Sequence, residues 1–114
     1  MILVVDDNSS LRNVLLAVLE DAGHKALGFL NGKVALAYAR QHPIALLITD
    51  LVMPEQEGIE TIRHFVREFP HIPIIAISGN PDYLPAAKHL GAAVALAKPI
   101  GNADLLEAVQ TLIA

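Results

Sequence analysis

The chain alternates five times between short apolar runs and amphipathic segments, and this alternation limits the folds that it can adopt. The apolar runs are rich in Ile, Val and Leu and predict buried β-strands, whereas the segments between them carry apolar residues at helical spacing. The predicted strands span residues 2–5, 24–29, 46–50, 74–77 and 94–96. Regular βα alternation indicates a parallel sheet covered by helices on both faces, because each crossover returns the chain to the same edge of the sheet.

The central run, residues 46–50, is predominantly apolar until it ends in the carboxylate of Asp50, and a proline follows four residues later. Such a run is expected of a strand that is buried on both faces at the middle of a parallel sheet. The predicted fold class is therefore α/β, a flavodoxin-like (βα)5 three-layer sandwich with five parallel strands in the order 2-1-3-4-5. A chain of 114 residues builds one core, so residues 1–114 are expected to form a single domain.

Composition argues against several classes of protein. The net charge is -4 and the eight basic residues are scattered, which argues against direct binding of nucleic acid. The chain has no cysteine, which excludes a disulfide framework, a thiol nucleophile and a zinc–thiolate site. No apolar stretch approaches the length of about eighteen residues that a membrane span needs, and the apolar start is too short for a secretory signal. We therefore expect a cytoplasmic protein with no membrane partner.

Polar side chains stand at the ends of four of the predicted strands. They are Asp6 and Asp7 after the first strand, Asp50 at the end of the third, Ser78 after the fourth and Lys98 after the fifth. Each has an ordinary explanation when taken alone, as an acid at a helix start, a turn residue or a surface lysine. The carboxyl ends of parallel strands meet at one edge of the sheet, where open α/β folds bind ligands. Together these residues predict one cleft.

The chemistry of this residue set favours a cation and a phosphoryl group. Three carboxylates packed together repel one another, and burial raises the free energy of each charged form. Mg²⁺ relieves both effects and prefers a few carboxylate oxygens plus water. Lys98 adds a positive charge opposite the acids. A carboxylate beside Mg²⁺ and a lysine is suited to accept a phosphoryl group, because charge neutralisation and positioning provide most of the catalysis.

The motifs occur in a specific order: Asp6-Asp7, Asp50 with Met53-Pro54 and Gly58, Ser78-Gly79, Gly91 and Lys98-Pro99. In this order, and over essentially the whole chain, they resemble the receiver domain of bacterial two-component response regulators. The resemblance implies that residues 1–114 are one receiver domain. It also implies that a histidine kinase or a histidine phosphotransfer protein phosphorylates Asp50, and that the domain then signals to a downstream protein or output domain.

The resemblance further implies a role for each residue of the cleft. Asp7 and Asp50, with the main-chain carbonyl of Val52, are expected to hold Mg²⁺, and Asp6 to act mainly through a metal-bound water. Lys98 is expected to pair with the acyl phosphate. The Ser78 hydroxyl and the Gly79 N–H are expected to bind phosphoryl oxygens, and the absence of a side chain at Gly79 to admit the donor. The Lys98–Pro99 bond is expected to be cis.

Three departures from the family pattern concern the response to phosphorylation. Ala95 replaces the aromatic residue whose ring changes rotamer in the family, and Ser78 replaces the commoner threonine but keeps the hydroxyl. The charged residues of one common dimer type are also missing. With Ser78 and Ala95 as switch positions, the remaining candidates to carry the signal are Tyr83 and the backbone of residues 80–83.

Two other functions stay open at this point. A phosphatase with an aspartate nucleophile also uses a strand-end carboxylate, Mg²⁺ and a lysine, but it normally has a second acid two residues after the nucleophile, where this chain has Val52. A receiver-like interaction module with impaired phosphorylation switching is the other alternative. The presence of every acidic, hydroxyl and lysine position argues against it, whereas Ala95 leaves it open. A nucleotide-binding domain is disfavoured, because no glycine-rich phosphate loop follows the first strand.

Overall fold

The apolar runs form the strands of one parallel sheet in the computed structural model, which describes residues 1–51 and 57–113. The strands are β1 (Ile2–Val5), β2 (Ala26–Phe29), β3 (Leu46–Asp50), β4 (Ile74–Ser78) and β5 (Val94–Ala97). The helices are α1 (Ser9–Asp21), α2 (Gly32–Ala39), α3 (Glu57–Glu68), α4 (Leu84–Leu90) and α5 (Asn102–Ile113), and a 3₁₀ turn, Pro81–Tyr83, precedes α4. The strand order β2-β1-β3-β4-β5 confirms the predicted flavodoxin-like topology.

The central strands are apolar throughout because both faces of the sheet are covered. Leu47 packs with α2, α3 and α4 on one face, and the next residue, Ile48, packs with α1 and α5 on the other. Both side chains are fully buried, and each such burial contributes about 1.5–3 kcal/mol. The two apolar layers fix the strands in register, so the residues at the strand ends have defined neighbours.

Asparagine side chains cap the starts of α1 and α2. The carboxamide of Asn8 accepts from the N–H of Leu11 at 3.1 Å, and that of Asn31 accepts from Val34 at 3.0 Å. Such caps satisfy backbone donors that the first turn of a helix leaves free.

Strand β2 is shorter than the prediction. The prediction starts the strand at His24, but the N–H of His24 donates to the carbonyl of Leu19 at 3.0 Å, in the connection after α1. The strand begins at Ala26 and lies at the edge of the sheet, beside β1. Among the described residues, no helix combines the length and apolarity needed to cross a membrane.

Candidate functional site

The carboxyl ends of β1, β3, β4 and β5 lie at the same edge of the sheet. Asp50 pairs with Ile77 in the β3–β4 register, and Ser78 pairs with Ala97 in the β4–β5 register. The N–H of Lys98 continues that ladder and donates to the carbonyl of Ser78 at 2.9 Å. The strand pairing therefore places the strand-end residues in one cleft. We define this cleft by Asp6, Asp7, Asp50, Ser78 and Lys98.

Lys98 joins the two buried acids of the cleft. Its Nζ donates to Oδ2 of Asp50 at 3.0 Å and lies 3.5 Å from Oδ2 of Asp6. The contact with Asp50 is a charge-assisted hydrogen bond, whereas the contact with Asp6 is a longer electrostatic interaction. The Lys98–Pro99 peptide bond is cis, as predicted.

Burial sets the electrostatics of the cleft. Asp6 and Asp50 are only 1% and 4% exposed, whereas Asp7 is exposed. Burial raises the pKa of Asp6, the N–H of Asn8 lowers it, and the nearby Asp50 raises it further, with a net upward shift. Partial burial opposes the ammonium of Lys98, but its hydrogen bond to Asp50 and the charges of both acids raise the pKa of Lys98 overall. The ammonium of Lys98 thus contacts two of the three clustered carboxylates.

This acid cluster fits a hard divalent cation. Each of Asp6, Asp7 and Asp50 offers a carboxylate oxygen, and these oxygens lie within 4.8 Å of one another. In the part of the chain that the structure describes, the buried Oδ2 of Asp6 has only the 3.5 Å contact with Lys98 and no shorter hydrogen bond, so it keeps acceptor capacity. An all-oxygen set with one exposed member suits Mg²⁺, which keeps several waters. Val52, predicted to add its carbonyl, lies outside the described residues.

The Ser78 hydroxyl is held by its own loop. It is fully buried, donates to the carbonyl of Asn80 at 3.0 Å and accepts from the N–H of Asn80 at the same distance. Gly79, between them, borders open space: a side-chain carbon placed there meets no described heavy atom within 4 Å. This is the room that the predicted approach of a donor requires.

The predicted switch residues lie at different depths. Tyr83 is 45% exposed and ends the 3₁₀ turn, and its N–H donates to the carbonyl of Asn80 at 3.2 Å. That carbonyl therefore accepts from both Ser78 and Tyr83. Ala95 is half-buried on β5 and pairs with Ala76, which lies two residues before Ser78 on β4. The structure links Ser78 to Tyr83 through one main-chain carbonyl, without involving Ala95.

The start of α3 passes very close to the end of β3. A side-chain carbon at Gly58 would collide with the main-chain carbonyl of Asp50 and would lie 2.6 Å from Cα of Leu51. Only glycine allows this approach. Gly58 therefore belongs to the site through packing against the backbone of Asp50.

One residue near the cleft has no counterpart in the sequence-based prediction. Nη1 of Arg12, on α1, donates to the main-chain carbonyl of Asp6 at 2.7 Å. The helical pattern identifies Arg12 as a residue beside the apolar stripe, but it does not indicate where a long side chain ends. The contact depends on the distance between α1 and β1, which only the fold defines.

Similarity to known proteins agrees with this geometry. The chain matches the family described as the response regulator receiver domain over residues 2–110. It is 33% identical over 118 residues to the response regulator receiver protein CpdR of Brucella abortus, covering 98% of this chain and 95% of that protein. It is 32% identical over 117 residues to protein PilH of Pseudomonas aeruginosa, covering 99% and 97%. The structure of chemotaxis protein CheY4 of Vibrio cholerae superposes with a TM-score of 0.88 at 29% identity, covering 97% of this chain and 96% of that one.

The chain therefore belongs to the response regulator receiver family. Members of this family are phosphoacceptor switches of two-component signalling rather than conventional enzymes. This assignment favours the receiver over the phosphatase alternative.

Proposed function

We propose that this domain accepts a phosphoryl group on Asp50 from a histidine kinase or a histidine phosphotransfer protein, with Mg²⁺ at the acid cluster, and then signals to a downstream protein or output domain. The observation that carries the proposal is the 3.0 Å contact between Lys98 Nζ and Asp50 Oδ2, next to two further acids. A carboxylate fixed by an ammonium at the mouth of an acidic cleft has the surroundings that phosphoryl transfer requires.

In the proposed reaction, a carboxylate oxygen of Asp50 attacks phosphorus. A P–O bond forms as the P–N bond of the donor phosphohistidine breaks, and the leaving imidazole takes up a proton. Lys98 moves its hydrogen bond from the carboxylate to a phosphoryl oxygen and neutralises part of the transferred charge. Asp6, Asp7 and Asp50, with the carbonyl of Val52, would hold Mg²⁺, which supplies further neutralisation of the phosphoryl oxygens. Gly79 leaves space for the donor and would give its N–H to the phosphoryl group.

The response is proposed to start at Ser78. The phosphoryl group adds strong acceptor oxygens, which compete with the Asn80 carbonyl for the Ser78 hydroxyl. When Ser78 turns away, Asn80 loses that donor but keeps the Tyr83 N–H, so the loop and the start of α4 can shift together. Ala95 has no ring to transfer, and the exposed Tyr83 is the proposed contact for the downstream partner. The cytoplasmic location remains a prediction.

The phosphoacceptor role is tested by intact-mass spectrometry after incubation with acetyl phosphate and Mg²⁺. The wild type is expected to gain one phosphoryl mass, and Asp50→Asn is expected to gain none. Asp21→Asn is the matched control, because Asp21 is exposed at the far end of α1. Labelling of Asp50→Asn to the wild-type extent would place the acceptor elsewhere.

Ala95 supports a second candidate, an interaction module whose surface does not respond to phosphorylation. Such a protein would still be labelled on Asp50 but would show no change in the loop after Ser78. A phosphatase would behave differently again and would turn over small phosphate esters repeatedly, whereas a receiver takes up one phosphoryl group per chain.

A further inference from the structure

The side chain of Arg12 reaches from α1 to the backbone that carries the first two acids. Its Nη1 donates to the carbonyl of Asp6 at 2.7 Å, and the residue is half-buried. Asp6 follows the last residue of β1, so its carbonyl lies where the strand ladder ends. A backbone carbonyl in a buried position needs a donor, and the guanidinium supplies it.

Gly28 provides the path for this side chain. A side-chain carbon at Gly28 would lie 2.9 Å from Cδ and 3.0 Å from Cγ of Arg12, and 2.9 Å from Cδ1 of Leu16. These distances are too short for carbon atoms in contact, so a larger residue at position 28 would push the Arg12 stem aside. The glycine that interrupts the β2 run is thus explained by the passage of Arg12.

The Arg12 contact completes the fixation of Asp6. The N–H of Asp6 donates to the main-chain carbonyl of Phe29 at 3.2 Å. Oδ1 of Asp6 accepts from the Asn8 N–H at 2.9 Å, and the main-chain carbonyl of Asp6 accepts from Arg12. The peptide group that Arg12 holds is the one that joins Asp6 to Asp7. The positions of both carboxylates relative to Asp50 therefore depend on this anchor.

We propose that Arg12 is a positioning residue for cation binding, and that it holds the Asp6–Asp7 peptide through a path that Gly28 leaves open. The inference rests on the proposed function, because it assumes that the acid cluster binds Mg²⁺. Arg12 contacts neither the phosphoryl group nor the cation in this account, and it acts through the backbone of the two acids.

Arg12 affects the cation affinity of the acid cluster in two ways that have opposite signs. As a fixed anchor, Arg12 strengthens binding, because it holds the carboxylates in place before the cation arrives. As a positive charge near the cleft, it weakens binding by repulsion. Removal of the side chain therefore lowers the affinity if positioning dominates and raises it if charge dominates.

The test is a Mg²⁺ titration of the unphosphorylated protein, followed by the amide NMR signals of the Asp6–Asn8 segment. Arg12→Ala is expected to raise the dissociation constant about tenfold, the lower end of the range for outer-shell substitutions. Arg12→Lys keeps a donor and the charge and should recover part of the loss. Gly28→Ala keeps Arg12 but blocks its path and should also weaken binding. Arg63→Ala is the control, since Arg63 is exposed on α3, 3.9 Å from Glu60.

A second readout separates positioning from a general loss of structure. When the rate of labelling by acetyl phosphate is measured against Mg²⁺ concentration, Arg12→Ala should raise the half-saturating concentration and leave the rate at saturation nearly unchanged. If Arg12→Ala does not fold, Arg12→Lys and Gly28→Ala decide the question by the same titrations.

Tighter or unchanged Mg²⁺ binding in Arg12→Ala would overturn the proposal, and wild-type binding in Gly28→Ala would overturn the role of the path. Failure of the proposed function looks different. In that case the wild type itself neither binds Mg²⁺ at the Asp6–Asn8 segment nor takes up the phosphoryl group.

Discussion

Two ion pairs in this molecule have similar distances but very different surroundings. On the surface, Arg40 on the end of α2 binds Glu68 on α3 through two hydrogen bonds of 2.7 and 2.8 Å. In the cleft, Lys98 binds Asp50 through one hydrogen bond of 3.0 Å. The surface pair has the better geometry, but its side chains are 53% and 37% exposed, whereas those in the cleft are 25% and 5% exposed.

Burial and charge balance determine what each ion pair contributes to stability and reactivity more than the contact distance does. Water competes for Arg40 and Glu68 and screens their attraction, so the pair adds little stability. In the cleft, the ammonium of Lys98 contacts two buried acids, so its loss removes a positive charge from both at once. The surface pair is balanced, whereas the cleft has an excess of negative charge that a cation or a phosphoryl-transfer reaction can use.

The largest effect is expected for Lys98→Ala. Its removal should slow phosphoryl uptake from acetyl phosphate by roughly a hundredfold, as for the loss of one donor to a developing charge. It should also lower the free energy of unfolding by about 1–3 kcal/mol without Mg²⁺, because the buried Asp50 carboxylate loses the charge-assisted hydrogen bond from Lys98. Timed mass spectrometry and urea unfolding measure the two quantities. Lys88→Ala, on the exposed side of α4, is the control, and equal behaviour of the two variants would contradict the comparison.

An intermediate effect is expected for Ser78→Ala, which removes a neutral group from the same edge. Two hydrogen bonds to Asn80 are lost, and the free energy of unfolding should fall by about 1–2 kcal/mol. In the wild type, beryllofluoride should shift amide NMR signals from Ser78 through Leu90, and in Ser78→Ala the shifts should stay close to Asp50. Ser9→Ala is the exposed control. A wild-type shift pattern in Ser78→Ala would exclude the hydroxyl as the first moving part.

The smallest effect is expected for Glu68→Gln. The hydrogen bond from Arg40 lowers the pKa of Glu68 below its ordinary value of 4.5, and the charges of Arg40 and His64 add to this. A lowered folded-state pKa means that the stabilisation is present above about pH 4.5 and is lost as the pH falls through the lowered value. The melting temperature of the variant should therefore lie slightly below that of the wild type at neutral pH and merge with it in acid. Added salt should reduce the difference. A difference that persists in acid would show that Glu68 stabilises by packing.

The fold could be predicted in most respects because its strongest signals are local. The residues of β1, β3 and β4 are buried on both faces and read as continuous apolar runs, so their positions were confirmed to within a residue. Strand β2 lies at the edge of the sheet, and its predicted start at His24 is wrong because His24 and Lys25 both precede the strand.

The clustering of the cleft residues at one edge of the sheet could also be predicted from the sequence, because parallel strands align their carboxyl ends. The sequence could not give the direction of a side chain within that edge. The Ser78 hydroxyl bonds to Asn80, and Arg12 reaches Asp6 across Gly28, through distances that only packing defines. The cis bond before Pro99 was expected from the family resemblance alone and is confirmed.

The most direct test of the account locates the phosphoryl group on the chain. Borohydride reduces an acyl phosphate to an alcohol and converts a phosphorylated aspartate into homoserine, which peptide mass spectrometry identifies by position. After treatment with acetyl phosphate, Mg²⁺ and borohydride, we predict homoserine at position 50 and at no other aspartate. Homoserine at position 6 or 7, or a phosphoryl mass with no homoserine at all, would contradict it.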